Sequence, residues 1–392
     1  MILKYLKEKN QLSFLLWTAA ATALAFTGWR VLLNNFAVDF IGMNGQTIGI
    51  QQSLREVPGL LAFTILFWLL FIKEQSLMLI SISLMGLGVA LTGFLPTVYG
   101  FYFTTVVMSF GFHYAQVLNS SLAYQFFEKE NFNALNGKVR SSSAFFAIIS
   151  FIIIIVMFNF FHLSYKVVYI VSGILAFLIA CYLFTFPKFL NGREKQKKKI
   201  IIKREYSLFY WLQFLSGARR QIFVVFASLL LVAKFNFSVT HMAILFMITQ
   251  LMTMFIAPYI GKVIDVFGEK KALHIEYFLL VIIFIAYAYN SSGTVASFLY
   301  VLDNLVFALS LALNGYFKKI ASYEDLTSSS SVTFTINHIA AVFLPFALGY
   351  VWMSSIKEVF LIAASIAFVS LLSSFLIKIN KEESTLQSAI KY

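Results

Sequence analysis

Arg30, Arg55, Arg219 and Arg220 lie inside long apolar stretches of a 392-residue chain. A guanidinium stays charged at any physiological pH, and inserting one into hydrocarbon costs at least about 2.5–3.5 kcal/mol. Ionisable groups retained at that cost mark a pathway for a solute or an ion. Glu56 and Asp303 are the obvious counter-charges, and against four arginines they leave a surplus of two positive charges. A buried cation without a partner is costly. An anionic or strongly dipolar visitor is therefore expected, and the bidentate guanidinium fork suits carboxylate or phosphate.

Other polar residues share these apolar stretches. Arg30 and Asn34 are four apart, which puts them on one face of a helix. Gln52 and Glu56 share a face in the same way, and Gln51 and Arg55 share the adjacent one. Pro58 removes a backbone hydrogen bond, so Pro58-Gly59 is expected to be a hinge. Asp303 beside Asn304 is the best proton carrier, because an apolar bundle penalises the charged form of a carboxyl group. Glu56, adjacent to Arg55, is expected to stay ionised as its partner. His113 and His338 are of the residue type that titrates near neutral pH, although a lone histidine in a bundle is more often a hydrogen-bonded structural residue. Gln250 and Asn337 complete the set. Five histidines without helical metal-ligand spacing give no metal site. No phosphate loop, Ser/His/Asp set or cofactor motif is present, so neither catalysis nor a cofactor is expected.

These side chains need helices to hold them in a bilayer. The chain is 60% hydrophobic and 12% charged, about half the charge of a soluble domain, so an all-α integral membrane protein is expected. A crossing helix needs about 20 apolar residues. Twelve such segments are predicted, at 13–36, 50–72, 76–95, 98–122, 141–161, 167–187, 207–232, 240–260, 272–290, 294–315, 332–353 and 359–379. The net charge of +13 is concentrated in loops of one parity, which argues against nucleic-acid binding. Counting Lys and Arg outside the four arginines gives 23 on one face and 3 (Lys166, Lys234, Lys357) on the other. The positive-inside bias then places both termini in the cytoplasm, as an even number of spans requires. The first segment is read as a span, since cleaving it as a signal peptide would discard Arg30. The single cysteine, Cys181, is an apolar filler.

The basic run Gly192-Arg193-Glu194-Lys195-Gln196-Lys197-Lys198-Lys199 divides the chain near its middle. The expected organisation is a six-helix bundle at 1–187, a basic cytoplasmic linker at 188–206, a second six-helix bundle at 207–380 and a cytoplasmic tail at 381–392. A weak repeat at an offset of about 189 supports it: Thr27-Gly28-Trp29-Arg30 matches Ser216-Gly217-Ala218-Arg219, and Ser141–Ser143 lie near the counterparts of Ser329–Ser331. The repeat pairs Arg219 with Arg30, so Arg219 is expected to face a central cleft. Arg220 is expected to pack against another helix and a carboxylate. Two parallel six-helix halves with a site between them are a transporter architecture.

The segment Gly261-Lys262-Val263-Ile264-Asp265-Val266-Phe267-Gly268-Glu269-Lys270-Lys271 resembles the G-x-x-x-D-[RK]-x-G-[RK]-[RK] loop of the major facilitator superfamily. The resemblance covers the whole chain. Val266 and Glu269 replace basic residues of the pattern, and the equivalent first-half loop, Ile72-Lys73-Glu74-Gln75-Ser76, has lost it. Gly261 and Gly268 permit tight turns and close helix approach, Asp265 suits a helix cap, and Lys270 and Lys271 can pair with carboxylates or lipid phosphate. The resemblance implies that this loop is a conformational gate, not a substrate site. It also implies that the third and sixth helices of each half face lipid. The sequence agrees: spans three, six and twelve have uncharged interiors, and span nine carries only His274 and Glu276 near its cytoplasmic mouth.

The expected function is secondary active transport of a small organic anion or zwitterion by alternating access. Arg30 and Arg219 would clamp the solute, and Asp303 would couple it to protons. Asn34, Gln52, Arg55, His113, Gln250, Asn304 and His338 would line the site, with Glu56 and Arg220 in ion pairs. The alternative is efflux of multidrug or lipophilic cations. Exporters of that kind carry Gly and Pro in the fifth helix, and Ser141–Phe161 contains neither. A channel or a transport-dead receptor fits less well, with no selectivity filter or soluble sensor domain. The Lys, Ile, Phe and Asn content suggests an AT-rich bacterial gene, hence a monomer in an inner membrane, with solute, coupling ion and lipid as partners.

Overall fold

A computed structural model describes residues 2–127, 131–189, 203–321 and 323–378, apart from the side chains of a few positions within them. The basic run 192–199 and the tail 381–392 lie outside the described residues, as do the side chains of Asp265 and Ser329–Ser331. The chain folds into α1 (Gln11–Ile41), α2 (Gly45–Leu60), α3 (Glu74–Thr92), α4 (Val98–Phe126), α5 (Phe132–Asn159) and α6 (Tyr165–Leu183). It continues with α7 (Arg204–Ala233), α8 (Val239–Phe267), α9 (Glu269–Tyr289), α10 (Gly293–Ile320), α11 (Tyr323–Ser354) and α12 (Ile356–Ser374).

Among the described residues, ten helices are long and apolar enough to cross a membrane. The remaining two expected spans, 50–72 and 98–122, fall short for different reasons. Segment 50–72 is interrupted: α2 stops at Leu60, two residues after Pro58, and continues only as a 3-10 turn (Ala62–Thr64) and a single helical turn (Ile65–Trp68). Pro58 lies inside α2, where its missing N–H leaves the Leu54 carbonyl without its helical partner, and the regular helix ends two residues later. Segment 98–122 is one long helix, α4, whose apolarity is diluted by Ser109, His113, Gln116 and Asn119. Polar helices are the ones a hydropathy threshold excludes.

Local chemistry sets the helix starts. Asn10, Thr97, Ser238, Ser292 and Ser355 each accept a hydrogen bond from a backbone N–H in the first turn that follows, satisfying donors that have no partner within the helix. Asn44 and Thr47 form a reciprocal capping box at α2. Both α1 and α7 contain a π-helical turn, at Phe36–Ile41 and Phe223–Ala227.

Packing follows the repeat. In the first half α1 packs against α5 and α6, and α3 against α4 and α6; in the second, α7 packs against α11 and α12, and α9 against α12. Two seams join the halves: α2 with α11, and α5 with α8. The α2–α11 seam is closed by small residues. A Cβ on Gly49 would overlap the Pro345 carbonyl and lie 3.0 Å from Gly349 Cα, and one on Gly45 would overlap the Trp352 ring. The spacing Gly45-x-x-x-Gly49 is the small-residue pattern of close helix crossings in membranes. Polar contacts between the halves gather toward this end. Asn34 donates to Ser228 Oγ (3.0 Å), Asn35 to the Phe237 carbonyl (2.7 Å) and Thr240 to Asn159 Oδ1 (2.7 Å). This end is the face opposite the Lys- and Arg-rich loops.

Candidate functional site

Midway along the bundle, polar groups from both halves form two clusters. The first contains Arg30 of α1, Arg219 and Arg220 of α7, Glu276 of α9, and Tyr300, Asp303 and Asn304 of α10. Arg30 is half-buried; it reaches the Tyr300 hydroxyl at 3.4 Å and lies 4.8 Å from the centre of the Phe246 ring. Arg220 is half-buried too. It donates to Asn304 Oδ1 (3.2 Å) and sits between the Phe223 and Phe307 rings at 5.2 and 4.7 Å. Asn304 in turn donates to the Tyr300 carbonyl (2.9 Å), which fixes its amide with the oxygen toward Arg220. Cation–π contacts of this kind contribute about 0.5–2 kcal/mol each. Phe and Tyr rings thus surround the buried charges.

Arg219 and Arg220 exchange the places expected of them. Arg219 is 1% exposed and packs toward α9: Nη2 lies 3.8 Å from Glu276 Oε1, the guanidinium stacks over Tyr277 at 4.3 Å, and Nε donates to the Leu215 carbonyl. Burial explains the exchange. Gly28, Trp29 and Arg30 run buried, buried, half-buried, and so do Ala218, Arg219 and Arg220. In space the repeat therefore runs at an offset of 190 here, and the buried Arg219 is the counterpart of Trp29.

Glu276 corrects a second expectation. It is fully buried, two helical turns into α9, and not at the cytoplasmic mouth. The span was drawn to begin at 272, whereas α9 begins at Glu269. With Glu276 included there are three carboxylates, and the surplus of buried positive charge falls from two to one. Arg55 is joined to Glu56 and Arg219 to Glu276. Asp303 lies within Coulombic reach of Arg220 and Arg219. Among the described residues Arg30 has no carboxylate partner, and it lies within Coulombic reach of Arg220.

The second cluster lies where α2, α4 and α11 meet. Arg55 donates twice to Glu56 Oε1. The other carboxylate oxygen, Oε2, faces His338 Nε2 at 3.6 Å. The His113 and His338 rings are 5.1 Å apart and nearly perpendicular. Gly59 makes room for both, because a Cβ there would collide with the two imidazoles. Three helices thus gather residues that sequence spacing kept apart, and the absence of metal-ligand spacing did not foresee this grouping.

The remaining expected residues are spread more widely. Asn34 belongs to the seam contact with Ser228, on the same face as Arg30. Gln51 donates to Thr105 Oγ1 (3.0 Å), while the buried Gln52 Oε1 has no hydrogen-bond partner. Gln250 is half-buried on α8, and Asn337 accepts from Gln213 (3.0 Å). In the loop segment, Gly268 adopts φ 77° and ψ 155°, a conformation essentially confined to glycine. Gly261 lies within α8 with open space around it, so the expectation of close approach there is not met. Lys270 donates to the carbonyls of Phe375 and Ile377 (3.0 and 2.9 Å) rather than to a carboxylate. Glu269, a departure from the family pattern, pairs with Lys319 at 2.6 Å. Lys271 is exposed.

Comparison with known proteins bears on the fold and the family. Among curated protein sequences none matches. Among solved structures, a mutant of the nucleoside transporter NupG superposes with a TM-score of 0.79 at 15% identity, covering 94% of this chain and 100% of that one. A bacterial homolog of the human lysosomal transporter Spinster, inward-facing and occupied, gives 0.73 at 12%, covering 93% and 96%. A POT family transporter in complex with a thioalcohol-conjugated peptide gives 0.73 at 12%, covering 93% and 95%. At these identities the likeness shows a shared fold. Residues 18–345 match the sequence profile of the Major Facilitator Superfamily, and the chain belongs to that superfamily of membrane transporters.

Proposed function

We propose that this transporter is a secondary carrier of a small organic anion or zwitterion. On this reading twelve helices cross the membrane, with both termini and the basic loops in the cytoplasm. The carrying observation is the pair Arg30 and Arg220, one from each half, both half-buried, with no carboxylate on Arg30 among the described residues. An anionic group between them offsets the surplus charge, and the surrounding rings accept the apolar part of the cargo. Arg219, paired with Glu276, supports the site without touching the solute. Asp303, buried beside Asn304, takes up the coupling proton as the solute site changes its exposure. The halves rock about the α2–α11 and α5–α8 seams; the described state is shut at the end holding Gly45 and Trp352.

A thermal-shift screen of the purified protein against carboxylates, phosphates, nucleosides, peptides and amphipathic cations tests the cargo class. Anions are expected to stabilise the wild type, and Arg30→Ala and Arg220→Ala to abolish the response. Losing a charged hydrogen-bond partner costs about 1.5–3 kcal/mol, or roughly tenfold or more in affinity. An undiminished anion response in both variants overturns the proposal, and a response confined to amphipathic cations supports drug efflux instead. In proteoliposomes Asp303→Asn is expected to remove the dependence of uptake on a proton gradient. Uptake as gradient-dependent as in the wild type ends the proton role of Asp303.

A further inference from the structure

We propose that Glu56, His113 and His338 form a binding site for a divalent transition-metal ion that, when occupied, clamps the two halves together. The candidate ligand atoms, one from each residue, all lie within 4.8 Å of one another. Two imidazoles and one carboxylate make a donor set that zinc, cobalt and iron accept, with at least one position left open. The three side chains are each at least nine-tenths buried.

Two further features have the character of a built site. Ligating carboxylates are themselves held by hydrogen bonds from an outer layer of side chains, and Arg55 binds Glu56 through Oε1 while Oε2 faces His338. The guanidinium and the ion therefore engage different oxygens. Gly59 supplies the second feature: any larger residue there would occupy the space of both imidazoles. Tetrahedral bonds of about 2.0–2.1 Å place ligand atoms roughly 3.4 Å apart, so separations of up to 4.8 Å must contract by up to about 1.4 Å to close on an ion. That contraction matters mechanically. Glu56 and His113 come from the first half and His338 from the second, so a bound ion bridges the α2–α11 seam and resists its opening.

The test uses the full-length protein in detergent with Co²⁺, Zn²⁺ and Mg²⁺. Co²⁺ is expected to give a saturable ligand-field absorption at one ion per chain, displaced by Zn²⁺ and unaffected by Mg²⁺. His113→Ala and His338→Ala are each expected to weaken binding at least about tenfold, and Arg55→Gln about 10–100-fold as an outer-layer change. Gly59→Ala retains all three ligand residues and is expected to abolish the signal by pushing both imidazoles out of position. It thus keeps the proposal falsifiable should a histidine variant misfold. Zn²⁺ is expected to raise the melting temperature of the wild type and not that of the His113→Ala/His338→Ala double variant. Arg30→Ala should leave metal binding intact, so failure of the anion reading and failure of this one are separable. Absence of a cobalt band in the wild type overturns the proposal, as does a band that persists undiminished in the His113→Ala/His338→Ala double variant. A cluster that responds to pH alone would be a proton-bridged contact, and the metal assignment would fall.

Discussion

Replacing Gly49 by alanine should prise open the seam that shuts one end of the transporter. The added methyl would overlap the Pro345 carbonyl and lie 3.0 Å from Gly349 Cα. Both obstacles are backbone atoms, so no rotamer change relieves them. Inserting a methyl group into a well-packed contact costs about 1–3 kcal/mol. The strain exists only while the seam is closed, so the whole cost acts on the equilibrium between closed and open states. That is a shift of about 5–150-fold. Gly45→Ala is the comparison, because the three atoms nearest its added methyl all belong to the Trp352 side chain rather than to backbone; a smaller shift is expected. Pulsed electron–electron distance measurements can read the change. The chain's one cysteine, Cys181, is exposed and replaceable by serine. Spin labels at Tyr99 and Ser291, exposed positions on opposite halves at this end, should then report a new, longer distance population in Gly49→Ala. An unchanged distribution, or a shift as large in Gly45→Ala, would refute the reasoning that the backbone crossing limits closure.

Other perturbations separate support from function. Arg219→Met strands Glu276 in an apolar interior and should cost about 3–5 kcal/mol, seen as a large fall in the melting temperature. Adding Glu276→Gln should recover most of it, and a double variant no more stable than Arg219→Met would argue against the pair. Gly268→Ala should destabilise the loop between α8 and α9 by about 1–3 kcal/mol, given its backbone angles. Gly261→Ala, in open space within a helix, should be neutral or gain up to about 1 kcal/mol. Comparing the two melting curves checks the assignment, and equal losses would contradict it.

Much of the architecture was readable from apolarity and charge. Span positions follow from runs long enough to cross hydrocarbon, and the expected starts of α7, α8 and α10 fall within a few residues of those observed. The errors have physical causes. Arg219 and Arg220 were exchanged because a repeat read from residue types carries a one-residue uncertainty, and one residue turns a side chain about 100° around a helix. Glu276 was assigned to the membrane surface because its span was begun one turn late, although an acid deep in an apolar run is itself a signal. Gly45-x-x-x-Gly49 marked a close crossing in plain view. The meeting of Glu56, His113 and His338 had no local signal, since it depends on how three helices from two halves are set side by side.

The wide turns at Phe36–Ile41 in α1 and Phe223–Ala227 in α7 bear on how such a molecule can move. Each holds one more residue per turn than ordinary winding, so its loss or migration swivels everything beyond it about 100° about the helix axis. Ser228, which receives Asn34 of the opposite half, comes directly after the second of these turns. The helices that carry Arg30 and Arg220 therefore have a screw motion available besides tilting, able to uncouple that contact while the helix axes stay where they are.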